Sequence, residues 1–127
     1  MEVLLKSGLY DWVQAAEVVS IAMEDGGAGT DREKRELSLR LIREVLGRGW
    51  MRIGDVDVNV PGAEGFTEWD LSIDDALDKV RREWNALGRL PELWELFWLA
   101  NTEDGDRLAE KLYESDESQG GKGAGSV

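Results

Sequence analysis

The sequence predicts a mainly helical α+β domain, and three observations lead to this fold class. Apolar residues recur at three- and four-residue spacing in several separate segments, which is typical of amphipathic helices. Between two of these segments, Val56, Val58 and Val60 alternate with polar residues, as they do in a strand. The length of 127 residues fits one domain. We therefore expect about five helices with a small β-hairpin in one compact domain over 1–114, followed by a disordered, polar and Gly-rich tail over 115–127.

The first two predicted helices are separated by a glycine-rich connector. The spacing of apolar residues predicts a helix over 8–24, with a stripe of Leu9, Trp12, Val13, Ala16, Val19 and Met23. Thr30 and Glu33 have the spacing of a capping box, so a second helix is expected over 31–47. Its buried stripe would be Leu37, Leu41, Ile42, Val45 and Leu46.

The spacing of apolar residues then changes from a helical period to a strand period and back to a helical one. Strand formers predict strands over 50–53 and 56–60, and a third short strand is expected over 65–69 after the Pro61-Gly62 turn. Ser72 is a suitable N-cap for a third helix that stops at Gly88. The stripe of this helix is the most regular in the chain: Ile73, Ala76, Leu77, Val80, Trp84 and Leu87.

Two further helices are predicted, over 91–100 and 103–114, from Pro91 in the first turn of one and Thr102 as the cap of the other. The segment 91–100 is apolar nearly all round. On a helical projection Trp94 and Trp98 share one face, while Leu99 lies on another. The segment is interpreted either as a central core helix or as a helix shared with a partner, and Trp94, Trp98 and Leu99 are the candidate protein-interaction residues.

Composition excludes many kinds of chemistry. The chain has no Cys and no His, which removes thiol nucleophiles, zinc-thiolate sites and imidazole bases or ligands. The run Asp55-x-Asp57-x-Asn59 begins like a calcium loop, but Val60 and Phe66 stand where that loop needs Gly and Glu. Asp74, Asp75 and Asp78 are most simply acidic residues near a helix N-terminus. No cofactor or metal site is therefore expected.

The charge pattern favours a protein partner over nucleic acid. The net charge is −12, from 27 acidic and 15 basic residues. The basic residues of the second predicted helix alternate with acids at four-residue spacing, through Arg32, Glu36, Arg40, Glu44 and Arg48. Such a ladder is typical of a solvated helix and leaves no row of unpaired cations for phosphates.

Two resemblances involve particular segments. The helices followed by RGWMRIGDV and a hairpin, together with FWLANTEDGDRLAEKL, resemble a winged-helix arrangement, which implies a transcription regulator. The chain from Pro61 onward departs from that family, because it carries 16 acids against 7 bases. Residues 9–114 also resemble small acidic actinobacterial proteins of unknown function, in GWMRIGDV, DDALDKVRREWNALGR and FWLANTEDG. This second resemblance implies a single compact domain.

The function expected from these observations is a non-enzymatic, acidic protein-binding module such as an inhibitor, an immunity-like protein or an adaptor. Its partner would be a protein, for which a basic surface would complement the acidic composition, and neither nucleic acid nor membrane. The alternatives are a winged-helix-like transcription regulator and a carboxylate-dependent hydrolase. The sequence does not determine the oligomeric state. A cytoplasmic location is expected, because the first residues lack a secretory signal and no apolar run is long enough to span a membrane.

Overall fold

Helices and short antiparallel strands alternate along the chain. The computed structural model describes residues 2–26, 29–57, 59–92 and 95–125. Within these ranges the elements are α1 (Glu2–Tyr10), β1 (Val13–Gln14), α2 (Ala15–Gly26), α3 (Asp31–Gly47), β2 (Met51–Val56), β3 (Phe66–Glu68), α4 (Ile73–Leu87), β4 (Trp98–Asn101) and α5 (Glu103–Gly125), with one 3₁₀ turn at Gly62–Gly65. The predicted fold class, α+β with helix predominating, is confirmed.

The four strands of the described residues form one antiparallel sheet in the order β1-β4-β2-β3. The hairpin of β2 and β3 follows α2 and α3 in the chain. The central position next to β2 is taken by β4, which comes from much later in the chain. Gly54 of β2 lies so close to β3 that a Cβ there would be 2.1 Å from the carbonyl oxygen of Thr67.

The core lies between one face of the sheet and the helices. Cross-strand pairing places Val13, Leu99 and Ile53 in a row, and each is at most 5 % exposed. The helices add Leu4 and Leu5 from α1 and a larger set from α2, α3 and α4: Val18, Ile42, Val45, Leu77, Val80 and Trp84. Burying the apolar stripes of amphipathic helices against one sheet face is the main stabilising term of such a fold.

The predicted bounds and caps of α3 and α4 are confirmed. Thr30 caps α3 by accepting a hydrogen bond from the Glu33 backbone N–H at 3.1 Å. Ser72 caps α4 in the same way through the Asp75 N–H. Gly88 ends α4 in the left-handed conformation at φ 71°, which glycine adopts without steric cost.

The predicted stripes of α3 and α4 are not fully buried. Of the α3 stripe the structure buries Ile42 and Val45 and leaves Leu37, Leu41 and Leu46 half-buried, while Ser38 and Leu39 are buried instead. In α4, Ile73 at the start of the stripe is exposed and Leu87 at its end is half-buried.

The predicted helix over 8–24 is wrong, because the structure divides this segment. α1 ends at Tyr10, the Asp11 carboxylate accepts a hydrogen bond from the Trp12 N–H at 2.8 Å, and Val13 then pairs with Leu99 in the sheet. The apolar spacing continues across the break, but pairing with a strand some 85 residues later overrides it.

The two strands predicted over 50–53 and 56–60 are one strand, β2. It ends at Val56, and the Asp57 carboxylate accepts a hydrogen bond from the Asn59 N–H at 3.0 Å to start a turn. Val58, the middle of the alternating valines, lies outside the described residues. The predicted strand at 65–69 is present as β3.

The helix predicted over 91–100 is also wrong. Leu96 has a positive φ of 70°, Phe97 N–H bonds to the Glu95 carbonyl, and 98–101 is strand β4. The Ala15 N–H donates to the Phe97 carbonyl at 3.2 Å, which ties the residue before β4 to the start of α2. Residues that are apolar all round suit a central strand as well as a buried helix, and periodicity alone does not separate the two.

The last helix begins where the sequence predicts it. Thr102 Oγ1 accepts a hydrogen bond from the Gly105 N–H at 3.1 Å, and α5 starts at Glu103. The predicted end at 114 differs from the structure, in which α5 continues to Gly125. The disorder expected of the tail beyond 114 stays a prediction. None of the helices in the described part of the chain has the length and apolar composition that a bilayer crossing needs.

Candidate functional site

The second face of the sheet is the candidate site. Directly opposed residues of antiparallel strands project to the same side, so the register defines this face. It carries Gln14, Trp98, Gly54 and Glu68 in one row, Arg52 and Ala100 in the next, and Val56 with Phe66 at the end. We call it the open face, because Arg52 and Glu68 are exposed and Trp98 and Phe66 are only partly buried.

Aromatic side chains cluster on the open face. Trp12, which immediately precedes β1, lies beside Phe66 with ring centroids 6.0 Å apart and planes inclined by 36°. The Arg52 guanidinium carbon lies 5.4 Å from the Phe66 ring centroid, and its Nη1 is 4.0 Å from Glu68 Oε1. Solvated faces of antiparallel sheets are usually polar, so partly exposed aromatic rings on this face are unusual.

The structure separates the three residues predicted as interaction candidates. Trp98 is on the open face and partly exposed. Leu99, its neighbour on β4, projects to the other face and is completely buried between Val13 and Ile53. Leu99 is therefore a core residue, and the strand's alternation is the physical reason. Trp94 lies outside the described residues.

A cleft of about 480 Å³ adjoins the open face. The buried Ala100, which is 4 % exposed, and Trp12 both line it. The remaining lining comes from the end of α1 and the turn after it, from β2, from the 3₁₀ turn before β3, from the end of β4 and from the start of α5: Gly8, Leu9, Asp11, Arg52, Gly62, Asn101 and Asp106. The cleft thus collects side chains from segments that are far apart in sequence.

Short-range hydrogen bonds hold the two segments that carry the carboxylates of the cleft. Asp11 is held in its turn by the bond from the Trp12 N–H. Asp106 lies in the first turn of α5, where its N–H bonds to the Thr102 carbonyl at 2.9 Å. Thr102 is in turn tied to the strand region, since its hydroxyl donates to the Gly49 carbonyl at 2.6 Å. Neither carboxylate forms an ion pair with another described residue.

The charge of Asp11 also acts on a carboxylate of α2. Burial raises the pKa of Glu17 above its ordinary value, and the negative charge of Asp11 raises it further. The electrostatic effect of Asp11 therefore extends to α2.

The approach to β4 is fixed by an ion pair on the surface. Arg89 donates two hydrogen bonds to the Glu95 carboxylate, at 2.6 and 2.8 Å, and the Glu92 N–H donates a third at 2.7 Å. These bonds hold the pKa of Glu95 down at about 2, with the Arg89 bonds as the largest cause. They set the direction in which the chain enters β4, and so the position of Trp98.

A larger groove, of about 640 Å³, runs along α4. It is lined by Leu71 and five charged side chains of both signs, Asp75, Asp78, Lys79, Arg81 and Arg82. Arg81 is already bonded to Glu36 of α3. This lining is that of a solvated helix surface, so we favour the smaller cleft with its aromatic wall.

Two arginines of α3 and the arginine that follows it pair with carboxylates. Arg48, the C-cap residue, pairs with Glu44 as the predicted ladder requires. Arg35 lies 3.6 Å from Glu36, which also pairs across to Arg81 of α4. Arg43 bonds to Asp74 at 2.9 Å. Within the described ranges no group of three or more carboxylates is placed to hold a metal ion.

Sequence reasoning missed most of the open face. Trp12 and Phe66 carry no local signal for it, because Trp12 fits a helical stripe and Phe66 fits a short strand. The register that brings both beside Arg52 depends on the long-range pairing of β4 with β1 and β2. The predicted interaction residue Trp98 lies on this face because its strand alternates.

No protein-family model matches the chain, and comparison with curated proteins and with solved structures gives no match.

Proposed function

We propose that this chain is a non-enzymatic protein-binding module that uses the open face of its sheet to bind a basic protein. It would act as an inhibitor, an immunity-like protein or an adaptor, in the bacterial cytoplasm, with neither nucleic acid nor membrane as its partner. The observation that carries the proposal is the set of three aromatic residues on this face, here called the aromatic cluster: Trp12 and Phe66, whose rings lie side by side, and the partly exposed Trp98.

The aromatic cluster has the composition of a binding hot spot. Trp is enriched among the residues that dominate interface energies, because a large rigid ring buries much area at little entropic cost. Side chains of this kind on a monomer's surface add little to folding stability. Binding to a partner therefore explains why these aromatic side chains are exposed, whereas folding does not.

The charges around the cluster define the partner's sign. The chain carries −12 overall, and the cleft beside Trp12 holds Asp11 and Asp106 against one cation, Arg52. Complementary charge accelerates encounter and disfavours partners of like charge. A positively charged protein surface is therefore the complement of this face.

The proposal is tested by quantitative affinity capture from a native lysate of the source cells, with wild-type protein and a Trp98→Thr variant. Threonine keeps the strand propensity of position 98 and removes the ring. We expect a basic protein to be captured by the wild type, and its affinity for the variant to fall about 30-fold, the effect of losing a hot-spot residue.

The matched control is Leu71→Thr, which removes an exposed apolar side chain from another part of the surface, 45 % exposed in the structure. This variant should capture the same protein as the wild type. Both variants are first shown to melt like the wild type. Equal capture by all three proteins, or no protein enriched by the wild type, would refute the proposal.

A further inference from the structure

We propose that the cleft at the Trp12 end of the open face is a specific pocket for one basic side chain, a guanidinium or an ammonium group of the bound partner. This inference rests on the proposed function, because it names the chemical group that anchors the partner. It concerns Asp11, Trp12 and Asp106, none of which the sequence predicts to be a binding residue.

The charged side chains that line the cleft favour binding of a cation. Asp11 and Asp106 both line it, and within the described part of the chain neither has an ion-pair partner. The one basic side chain in the lining, Arg52, is directed to the Phe66 ring and to Glu68. Arg52 thus already contacts Phe66 and Glu68 and forms no ion pair with Asp11 or Asp106, so two carboxylates stand against one cation in the cleft lining.

The shape and the wall of the cleft favour a side chain over a solvated ion. A volume of about 480 Å³ lies within the range of roughly 300 to 1,000 Å³ that is usual for pockets binding small organic groups. Trp12 supplies a wall, and Trp is the ring that attracts cations most strongly. Ala100 also lines the cleft, so the methylene groups of a bound arginine or lysine would contact apolar surface while its charged group contacts the carboxylates.

The ends of the cleft are rigidly placed, which favours recognition of a defined group. Asp11 is bonded to the Trp12 backbone, and Asp106 lies in a helical turn capped by Thr102. Asn101 is fixed between them by its Nδ2, which donates to the Leu5 carbonyl at 3.0 Å. Groups held in place before binding lose little entropy on binding, and so they contribute more to affinity.

The anchor is tested without knowing the partner, by titrating the ¹⁵N-labelled protein with N-acetyl-arginine amide at low salt. N-acetyl-citrulline amide, which has the same shape and no charge, is the matched control ligand. We expect saturable shifts of the Trp12 indole and of the Gly62, Ala100 and Asn101 amides with the arginine probe. The citrulline probe should bind about threefold to tenfold more weakly, as expected for loss of a partly desolvated charge contact.

Two variants locate the effect. Asp106→Asn keeps the size of the side chain and removes its charge, and should weaken the arginine probe about threefold to tenfold. Glu83→Gln removes an exposed carboxylate on α4 and should leave the affinity unchanged. Equal binding of both probes, shifts scattered over the acidic surface, or equal loss in the two variants would overturn the proposal.

The outcome is separate from that of the proposed function. If the Trp98→Thr variant loses the captured protein while the arginine probe gives no cleft shifts, the protein-binding face stands and the anchor fails. If the probe binds in the cleft while capture does not depend on Trp98, the cleft is a cation site and the proposed partner face fails.

Discussion

Trp84 is a core residue of α4, and a substitution there tests the packing of the helix stripe. It is 4 % exposed and continues the row of Ala76, Leu77 and Val80. Trp84→Ala should lower the free energy of unfolding by about 3 to 5 kcal/mol, because it removes a large apolar side chain and leaves a cavity. Equilibrium denaturation measures the change.

Ile73, at the start of the same helix, is the matched control. It is 37 % exposed, so Ile73→Ala should cost well under the Trp84 value. Nearly equal losses for the two variants would show that the Trp84 ring is not part of the core.

The pKa of Glu17 provides a second test at the scale of a single residue. Its folded-state pKa is raised, first by burial and then by Asp11, so the folded protein binds this proton more readily than the unfolded chain. Ionised Glu17 therefore lowers stability above its folded pKa, and the penalty disappears as the pH falls below 4.5, the ordinary pKa of a glutamate.

Asp11→Asn should accordingly lower the pKa of Glu17 without returning it to the ordinary value, since burial is the larger cause. Carboxyl chemical shifts in an NMR titration measure this pKa in both proteins. An unchanged or higher pKa in the variant would mean that Asp11 exerts no field on α2.

At the scale of elements, the sequence predicts those structures that depend on neighbours in the chain. α3 and α4 are framed by capping residues and a left-handed glycine, and they begin and end where predicted. The first predicted helix and the segment 91–100 are wrong for one shared reason. Val13 and Leu99 pair with each other across the sheet, and local periodicity carries no information about such a partner.

The same reason explains what could be predicted of the site. Trp98 was identified from its apolar surroundings, although on a helix rather than a strand. Leu99 was chosen with it and is buried, because a strand sends adjacent residues to opposite faces. Asp106 lies beside Asp11 and Trp12 only in the tertiary fold, so no pattern in the sequence could have grouped the three residues.

The strand assignment of 98–101 makes its own prediction. NMR should show cross-strand contacts that pair Ile53 with Leu99 and Gly54 with Trp98, and the amide protons of Leu99 and Ala100 should exchange slowly because β4 is flanked on both sides. Helical contacts between residues three apart over 95–100 would contradict the strand.

At the scale of the whole molecule, charge predicts no useful affinity for duplex DNA. The net charge is −12, and arginines in α3 and at its C-cap pair with carboxylates such as Asp74 and Glu44. Few phosphates could be neutralised, so little counterion release would favour binding. Fluorescence anisotropy at low salt should show no saturable binding. Tight binding that weakens steeply with salt would support a winged-helix regulator instead.

The most direct test of the central claim, that the open face binds a protein, is photo-crosslinking in the source cells. A photoreactive phenylalanine analogue replaces Trp98 in one variant and Leu71 in another, so that an aromatic probe stands either on the open face or at the exposed control position. The account predicts one discrete crosslinked protein from position 98 and none of that species from position 71. A crosslink from position 71 alone, or the same crosslinks from both positions, would contradict it.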